Sequence, residues 1–77
     1  MATVRFVRLR SGLYVTKDAQ YRIVRRRYLA KQVTLWNVER WNMKWRMYVR
    51  LASFHTLAKA RKYVSMCQFE EGQRDAK

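Results

Sequence analysis

Hydrophobic and polar residues alternate along most of the chain before residue 55, which is the pattern of half-buried β-strands. These segments are also rich in the β-branched and aromatic residues that favour strands. Short polar stretches between them predict turns at residues 17–20 and 42–44, and residues 29–32 (Leu-Ala-Lys-Gln) are a connection without a clear turn signal. The predicted strands are residues 4–15 (one strand, or two interrupted at Ser11 and Gly12), 21–28, 33–41 and 45–52.

The period of the pattern changes from two to a helical repeat after residue 55. Apolar residues then recur on one side of a helix, at Leu57, Ala60, Val64 and Cys67. Thr56 is a suitable N-cap because its hydroxyl can accept a bond from the first turn. We expect the helix to end near Phe69. Residues 70–77 are then expected to form a flexible acidic tail.

Strands followed by one helix indicate an α+β fold. We expect residues 1–69 to form a single small basic domain, consistent with a chain of only 77 residues. The expected architecture is a three- to four-stranded antiparallel sheet packed against one C-terminal α-helix. One helix covers one face of such a sheet, which leaves the other face to water or to a partner.

Alternation assigns the side chains of each strand to one of two faces. The residues expected on the helix side are Tyr21, Ile23, Trp36, Val38, Met47, Val49 and Leu51. Those expected on the outer side are Arg22, Val24, Arg26, Leu35, Asn37, Glu39, Trp41, Arg46, Tyr48 and Arg50. Arginines among aromatic residues suit nucleic acid, because Arg binds phosphates or base edges while Trp and Tyr stack. A solvated face whose arginines lie over aromatic rings is the alternative.

Charge strengthens the nucleic-acid interpretation. The chain has 18 Lys and Arg against five acids, a net charge of +13. Before residue 70 only Asp18 and Glu39 oppose 16 basic residues, so the balance there is 16 − 2 = +14. Such a density favours a polyanionic partner. Arginine outnumbers lysine twelve to six, which favours nucleic acid over simple solubility, although a diffusely basic protein is the alternative.

The residues that usually carry catalysis or bind metal are sparse. Cys67 and His55 are the only cysteine and the only histidine, so no disulfide within the chain and no cysteine-based zinc site can form. A glycine-rich phosphate loop is also missing. We therefore expect a non-enzymatic protein without cofactor or metal. A single cysteine favours a cytoplasmic protein. No apolar run approaches the roughly 20 residues of a membrane span, and the helix stripe has few large apolar residues, so we expect no membrane contact.

Several short motifs resemble a known DNA-binding domain. They are YRIVRRR at residues 21–27, Trp36 with Glu39, VRLASFHT at 49–56 and AKARKY at 58–63. Over residues 21–64 the chain resembles the plant ethylene-response-factor domain, and its expected layout is similar to the arm-binding domains of phage-type tyrosine integrases. Both families place a three-stranded sheet in the DNA major groove. The resemblance therefore implies that DNA is read by residues of the sheet.

Carried onto this chain, the resemblance assigns the first-strand contacts to Arg22, Arg25 and Arg27 and the acidic position to Glu39. Trp41 stands where the family has arginine, and Tyr48 and Arg50 stand where it has Arg and Trp. Alternation instead directs Arg22 and Arg26 outward, and a bulge would reconcile the two patterns. The candidate nucleic-acid-binding residues are Arg22, Arg25, Arg26, Arg27, Glu39, Trp41, Arg46, Tyr48 and Arg50.

Three functions are consistent with these residues. The favoured one is a small nucleic-acid-binding protein, with duplex DNA preferred and RNA as a further partner, encoded by a phage or mobile element. The second is a phage-encoded interaction module that binds and inhibits or redirects a host protein complex, because Trp41, Trp45, Tyr48 and Arg50 are typical interface anchors. The third is an RNA-binding ribonucleoprotein subunit. Monomer and dimer both remain open, because unpaired edge strands can pair between chains.

Overall fold

The computed structural model describes the backbone of residues 5–75 and the side chains of residues 5–69. Its five strands form one antiparallel sheet in chain order, β1-β2-β3-β4-β5, followed by a single helix. The strands are β1 (Phe6–Arg10), β2 (Leu13–Thr16), β3 (Tyr21–Tyr28), β4 (Val33–Asn42) and β5 (Met47–Phe54), and the helix is α1 (Leu57–Asp75). A short 3-10 turn, Leu29–Lys31, connects β3 to β4. The predicted α+β layout is confirmed, with one strand more than expected.

The additional strand arises because the first alternating segment is a hairpin. Gly12 has a positive φ of 79°, a conformation that costs glycine little. Its carbonyl oxygen accepts a hydrogen bond from the Arg25 amide at 2.8 Å. A side chain at this position would also meet Arg25, whose Cβ lies 3.2 Å from an ideal Cβ on Gly12. Of the two predicted arrangements, two short strands is therefore the one adopted, and residue 4 lies outside the described residues.

Asp18 stabilises the turn between β2 and β3, as its position in the sequence predicts. Thr16 donates its hydroxyl to an Asp18 carboxylate oxygen at 2.6 Å, and the Gln20 amide donates to the same oxygen at 3.1 Å. The Tyr21 amide donates to the Thr16 hydroxyl oxygen at 3.2 Å, which leads the chain into β3. Asp18 therefore has a turn role, as its position between two strands predicts.

In the last hairpin β4 ends one residue later than predicted, and β5 starts and ends two residues later. Asn42 ends β4, and the turn occupies residues 43–46. The Asn42 side-chain oxygen accepts the Trp45 amide at 3.0 Å, which shapes the turn. Arg46 is in the left-handed region with φ 52°. Its predicted place on the outer side of a strand is wrong, because it belongs to the turn.

The core lies between α1 and one face of the sheet. Ile23 and Val38 are both 0% exposed, and Val64 on the helix packs with them. Partly buried residues complete this layer, namely Phe6, Tyr14, Trp36, Phe54, Leu57, Tyr63 and Cys67. The predicted helix side of β3 and β4 is confirmed.

A β-bulge changes which residues of β5 reach the core. Val38 pairs with Ala52, but the next residue, Glu39, pairs with Arg50, so Leu51 is the extra residue. Leu51 is 43% exposed, and its predicted core position is wrong. Met47 is also exposed, because it lies in the last pair before the turn, beyond the end of β3.

The helix is longer than predicted. It continues to Asp75, six residues beyond the expected end at Phe69. Residues 70–75 therefore have a helical backbone, whereas residues 76–77 lie outside the described part. Glu, Gln and Arg in this segment favour helix, and Gly72 costs only about 1 kcal/mol relative to alanine. Among residues 5–75 no helix is long and apolar enough to cross a membrane.

Candidate nucleic-acid interface

The register of β3 decides which of its arginines share a face. All eight residues of β3 pair with β4 without irregularity. Arg22 and Arg26 therefore lie on the side of the sheet opposite α1, which we call the open face. Arg25 and Arg27 lie on the same side as the buried Ile23. The bulge that would bring them to the open face is absent from β3, so the simple alternation is correct.

A charged cluster on the open face joins β3, β4 and β5. The Arg22 Nε donates to a carboxylate oxygen of Glu39, and the Arg22 guanidinium carbon lies 4.0 Å from the centre of the Tyr48 ring. The Glu39 side chain is only 11% exposed. The predicted acidic residue therefore lies beneath the surface, where Arg22 compensates its charge.

An aromatic pair adjoins this cluster. The Trp41 and Tyr48 rings meet nearly edge to face, with centroids 5.2 Å apart and planes at 69°. The Tyr48 hydroxyl donates to the carbonyl oxygen of Ala19 at 2.7 Å, which connects β5 to the turn between β2 and β3. The two rings are therefore held in place by the protein itself, on the face where both were predicted.

Two further predicted cations on the open face are exposed. Arg50 lies directly opposite Glu39, and Arg26 lies opposite Leu35. Within residues 5–69 no hydrogen bond or ion pair engages either guanidinium. Both side chains can therefore turn toward a partner without breaking a contact of the fold.

A second bulge, in β1, adds Arg10 to the open face, where it was not predicted. In β1 the register shifts between Arg8, which pairs with Tyr14, and Arg10, which pairs with Leu13. Leu13 in turn pairs with Val24 on the open face, so Arg10 stands on that face as well. Only the Ser11–Gly12 turn hinted at an irregularity here, because bulges often accompany tight hairpin turns.

A buried polar group links three strands beneath the open face. The side-chain amide nitrogen of Asn37 donates to the Tyr28 hydroxyl oxygen at 3.0 Å. The Ser53 hydroxyl donates to the side-chain oxygen of Asn37 at 2.7 Å. Alternation predicted an outward Asn37 but gave no sign that it would be buried. Both ends of its amide are bonded, so this residue supports the sheet and does not face a partner.

Arginines also lie on the helix side of the sheet. The Arg25 guanidinium lies 5.7 Å from the Trp36 ring centre and donates to the Ser11 hydroxyl at 3.2 Å. Arg61 on α1 lies 5.3 Å from the Phe6 ring centre. Positive charge is therefore present on both sides, and of the nine candidates the open face brings together Arg22, Arg26, Glu39, Trp41, Tyr48 and Arg50.

The described residues do not bring potential metal ligands together. Among the described residues no three His, Cys, Asp or Glu side chains are grouped so that they could hold a metal ion. Cys67 packs against the core, and His55 is exposed just before α1. The two acids before residue 70 are separated, one in a turn and one beneath the open face.

Comparison with known proteins adds no further assignment. No protein-family model matches this chain, and no curated protein and no solved structure is significantly similar to it. The resemblance to the ethylene-response-factor domain therefore stays a prediction, and function must be argued from the open face itself.

Proposed function

We propose that this chain is a small nucleic-acid-binding protein that prefers DNA and binds it through the open face. One observation carries the proposal. Among residues 5–69 the only acid on that face is Glu39, which is covered and bonded to Arg22. The same face presents the exposed cations Arg26 and Arg50 and the half-buried rings of Trp41 and Tyr48. Such a partner implies a cytoplasmic location in a bacterial or host cell.

The charge balance of the described residues supports the same partner. Residues 5–69 contain 16 basic side chains and two acids, a balance of 16 − 2 = +14. Both acids, Asp18 and Glu39, are bonded within the fold. A surface of this kind attracts polyanions over a distance and gains affinity by releasing their condensed counterions.

The geometry suggests a division of labour on the open face. Arg26 and Arg50 are exposed and bond to phosphates or guanine edges. Trp41 and Tyr48 pack on sugars or bases. Arg22, held by Glu39 and stacked on Tyr48, gives the face a fixed positive group.

Salt dependence is the first test of this proposal. If four to six phosphates are neutralised, log K should fall with log salt at a slope of roughly −3.6 to −5.4 for duplex DNA. The titration is repeated with single-stranded DNA and with structured RNA, and the tightest of the three identifies the preferred partner. A protein that binds none of them at low salt would contradict the proposal.

Two matched double variants test whether nucleic acid binds to the open face. Arg26→Gln with Arg50→Gln removes two charges from the open face, and Arg27→Gln with Lys62→Gln removes two from elsewhere. The first pair should reduce the magnitude of the salt slope by about 1.8, because each lost phosphate contact contributes about 0.9. The second pair should leave the slope nearly unchanged. Equal effects would show that binding does not use the open face.

Protein binding is the second candidate function. The open face carries Trp, Tyr and Arg, the residue types that dominate interface hot spots, and Val7 at its edge is exposed. A pull-down from nuclease-treated lysate separates the two functions. A stoichiometric protein partner that survives nuclease and moderate salt would favour an interaction module, whereas loss of all partners after nuclease supports nucleic-acid binding.

A further inference from the structure

The tip of the β4–β5 hairpin holds large apolar side chains in water. Tyr21 at the start of β3 pairs with Arg40, so the last residues of β4 and the first of β5 extend beyond β3. Exposure at this tip is high, with Met43 at 76%, Trp45 at 64% and Met47 at 51%. Tryptophan is rarely so exposed without a partner, because leaving it in water costs hydrophobic free energy.

The shape of the tip is set by its own hydrogen bonds. The Asn42 side-chain oxygen accepts the Trp45 amide at 3.0 Å, and the Trp41 indole N–H donates to the Met43 sulfur at 3.2 Å. Arg46 adds a left-handed turn residue with φ 52°. The apolar side chains are therefore presented by an ordered turn, which lowers the entropy lost when a partner binds.

The tip alternates apolar and cationic residues in the order Met43, Lys44, Trp45, Arg46 and Met47. Residues 40–69 contain no acid at all. A complementary partner must place negative charges beside flat apolar surfaces at short intervals. A nucleic-acid strand does so, because each base is flanked by phosphates. A lipid surface instead separates its charged layer from its apolar layer, which matches a continuous apolar tip better than an alternating one.

We propose that the hairpin tip binds unstacked bases, with Trp45 stacking on a base and Lys44 and Arg46 contacting the adjacent phosphates. This inference rests on the proposed function, since the open face supplies the backbone contacts. The aromatic pair of Trp41 and Tyr48 continues from that face directly into the tip. Bases inside an intact duplex are stacked on each other and must first be unstacked. The protein therefore prefers single strands, unpaired bases and strand junctions to intact duplex.

Binding measurements with four proteins and three substrates test this preference. The proteins are wild type, Trp45→Leu, Trp45→Phe and Leu29→Ala. The last shortens an apolar side chain of the β3–β4 connection that is even more exposed, 76% against 64% for Trp45. The substrates are a labelled duplex, the same duplex with one unpaired adenine, and the single strand. Trp45→Leu should weaken binding to the two substrates with unpaired bases by roughly 5- to 150-fold. Trp45→Phe should lose much less, and Leu29→Ala should match wild type.

The possible outcomes separate this inference from the proposed function. If wild type binds no nucleic acid, both are overturned. If wild type binds with the expected salt dependence but Trp45→Leu weakens all three substrates equally, or none, only the tip inference is overturned. Vesicles containing phosphatidylserine serve as the competing probe. Trp45-dependent binding to them, without an effect on nucleic acid, would also overturn it. Thermal unfolding of each variant confirms that any loss is not caused by unfolding.

Discussion

The two faces of the sheet are made by the same strands and the same alternation, yet they are stabilised in different ways. On the helix-covered face Ile23 and Val38 are sealed beneath α1. On the open face Arg22, Glu39 and Asn37 are stabilised by bonds between side chains of neighbouring strands. Within residues 5–69 no buried side-chain polar atom lacks a partner. A face without a covering layer can therefore be ordered if its polar groups satisfy each other.

This difference also separates structural from available side chains on the open face. Arg22 and Asn37 are engaged in bonds that hold the sheet. Arg26 and Arg50 are exposed and are not engaged within the described residues. Substitutions of the first kind should change stability, whereas substitutions of the second kind should change binding. Five variants test the comparison between the two faces and this separation.

The largest expected effect lies on the helix-covered face. Ile23→Ala should lower the free energy of unfolding by about 2–5 kcal/mol, because it leaves a cavity beneath the helix. That is a large part of the roughly 5–15 kcal/mol available to a typical domain. Urea denaturation followed by circular dichroism measures the change. A midpoint equal to that of wild type would show that this face is not the core.

A smaller loss of stability is expected beneath the open face. Asn37→Ala leaves the Tyr28 and Ser53 hydroxyls without their partner and should cost about 1–3 kcal/mol. Nucleic-acid affinity, measured below the unfolding midpoint, should be unchanged because Asn37 is buried. A large fall in affinity with unchanged stability would instead place Asn37 in the binding surface.

Glu39→Gln should lower the stability of the fold and at the same time strengthen its binding to DNA. Losing the charged bond to Arg22 should cost about 1–2 kcal/mol, since the partly exposed arginine is screened by water. The variant removes the only described acid of the open face, so binding to duplex DNA should become tighter. Weaker binding at full folding would mean that Glu39 itself contacts the nucleic acid, as the family resemblance implies.

The smallest effects on stability are expected from two neighbouring arginines. Arg26→Gln and Arg27→Gln should each change the free energy of unfolding by less than about 0.5 kcal/mol, because both side chains are exposed. Only Arg26→Gln should reduce the salt slope, by about 0.9. Because the two residues are adjacent but lie on opposite faces, equal slopes for both variants would remove the distinction between the faces.

Much of the fold was predictable from local pattern. The bounds of β3 at Tyr21 and Tyr28 agree with the prediction, because alternation and turn residues define a strand locally. The helix starts at Leu57, directly after the expected N-cap Thr56. The helix end was wrong, because the segment after Phe69 contains good helix formers and no proline.

Part of the candidate site was predictable for the same reason. Alternation correctly placed Arg22 and Arg26 opposite the core, together with Trp41, Tyr48 and Arg50. The contact between Arg22 and Glu39 was not predictable, because it depends on the register between β3 and β4. The bulge at Leu51 was hidden for a similar reason, since an extra residue in one strand has no local signature here.

The sequence alone determined the alternating segments from residue 21 onward, the start of the helix and the excess of positive charge. These properties depend on residue type and on spacing along one segment. The tertiary structure decided the register, the two bulges and the burial of Glu39 and Asn37. Those properties depend on which residues of different strands lie opposite each other, and a shift by one residue would exchange the two faces. The open face is therefore a consequence of strand pairing, whereas its chemistry is already present in the alternating arginines and aromatic residues.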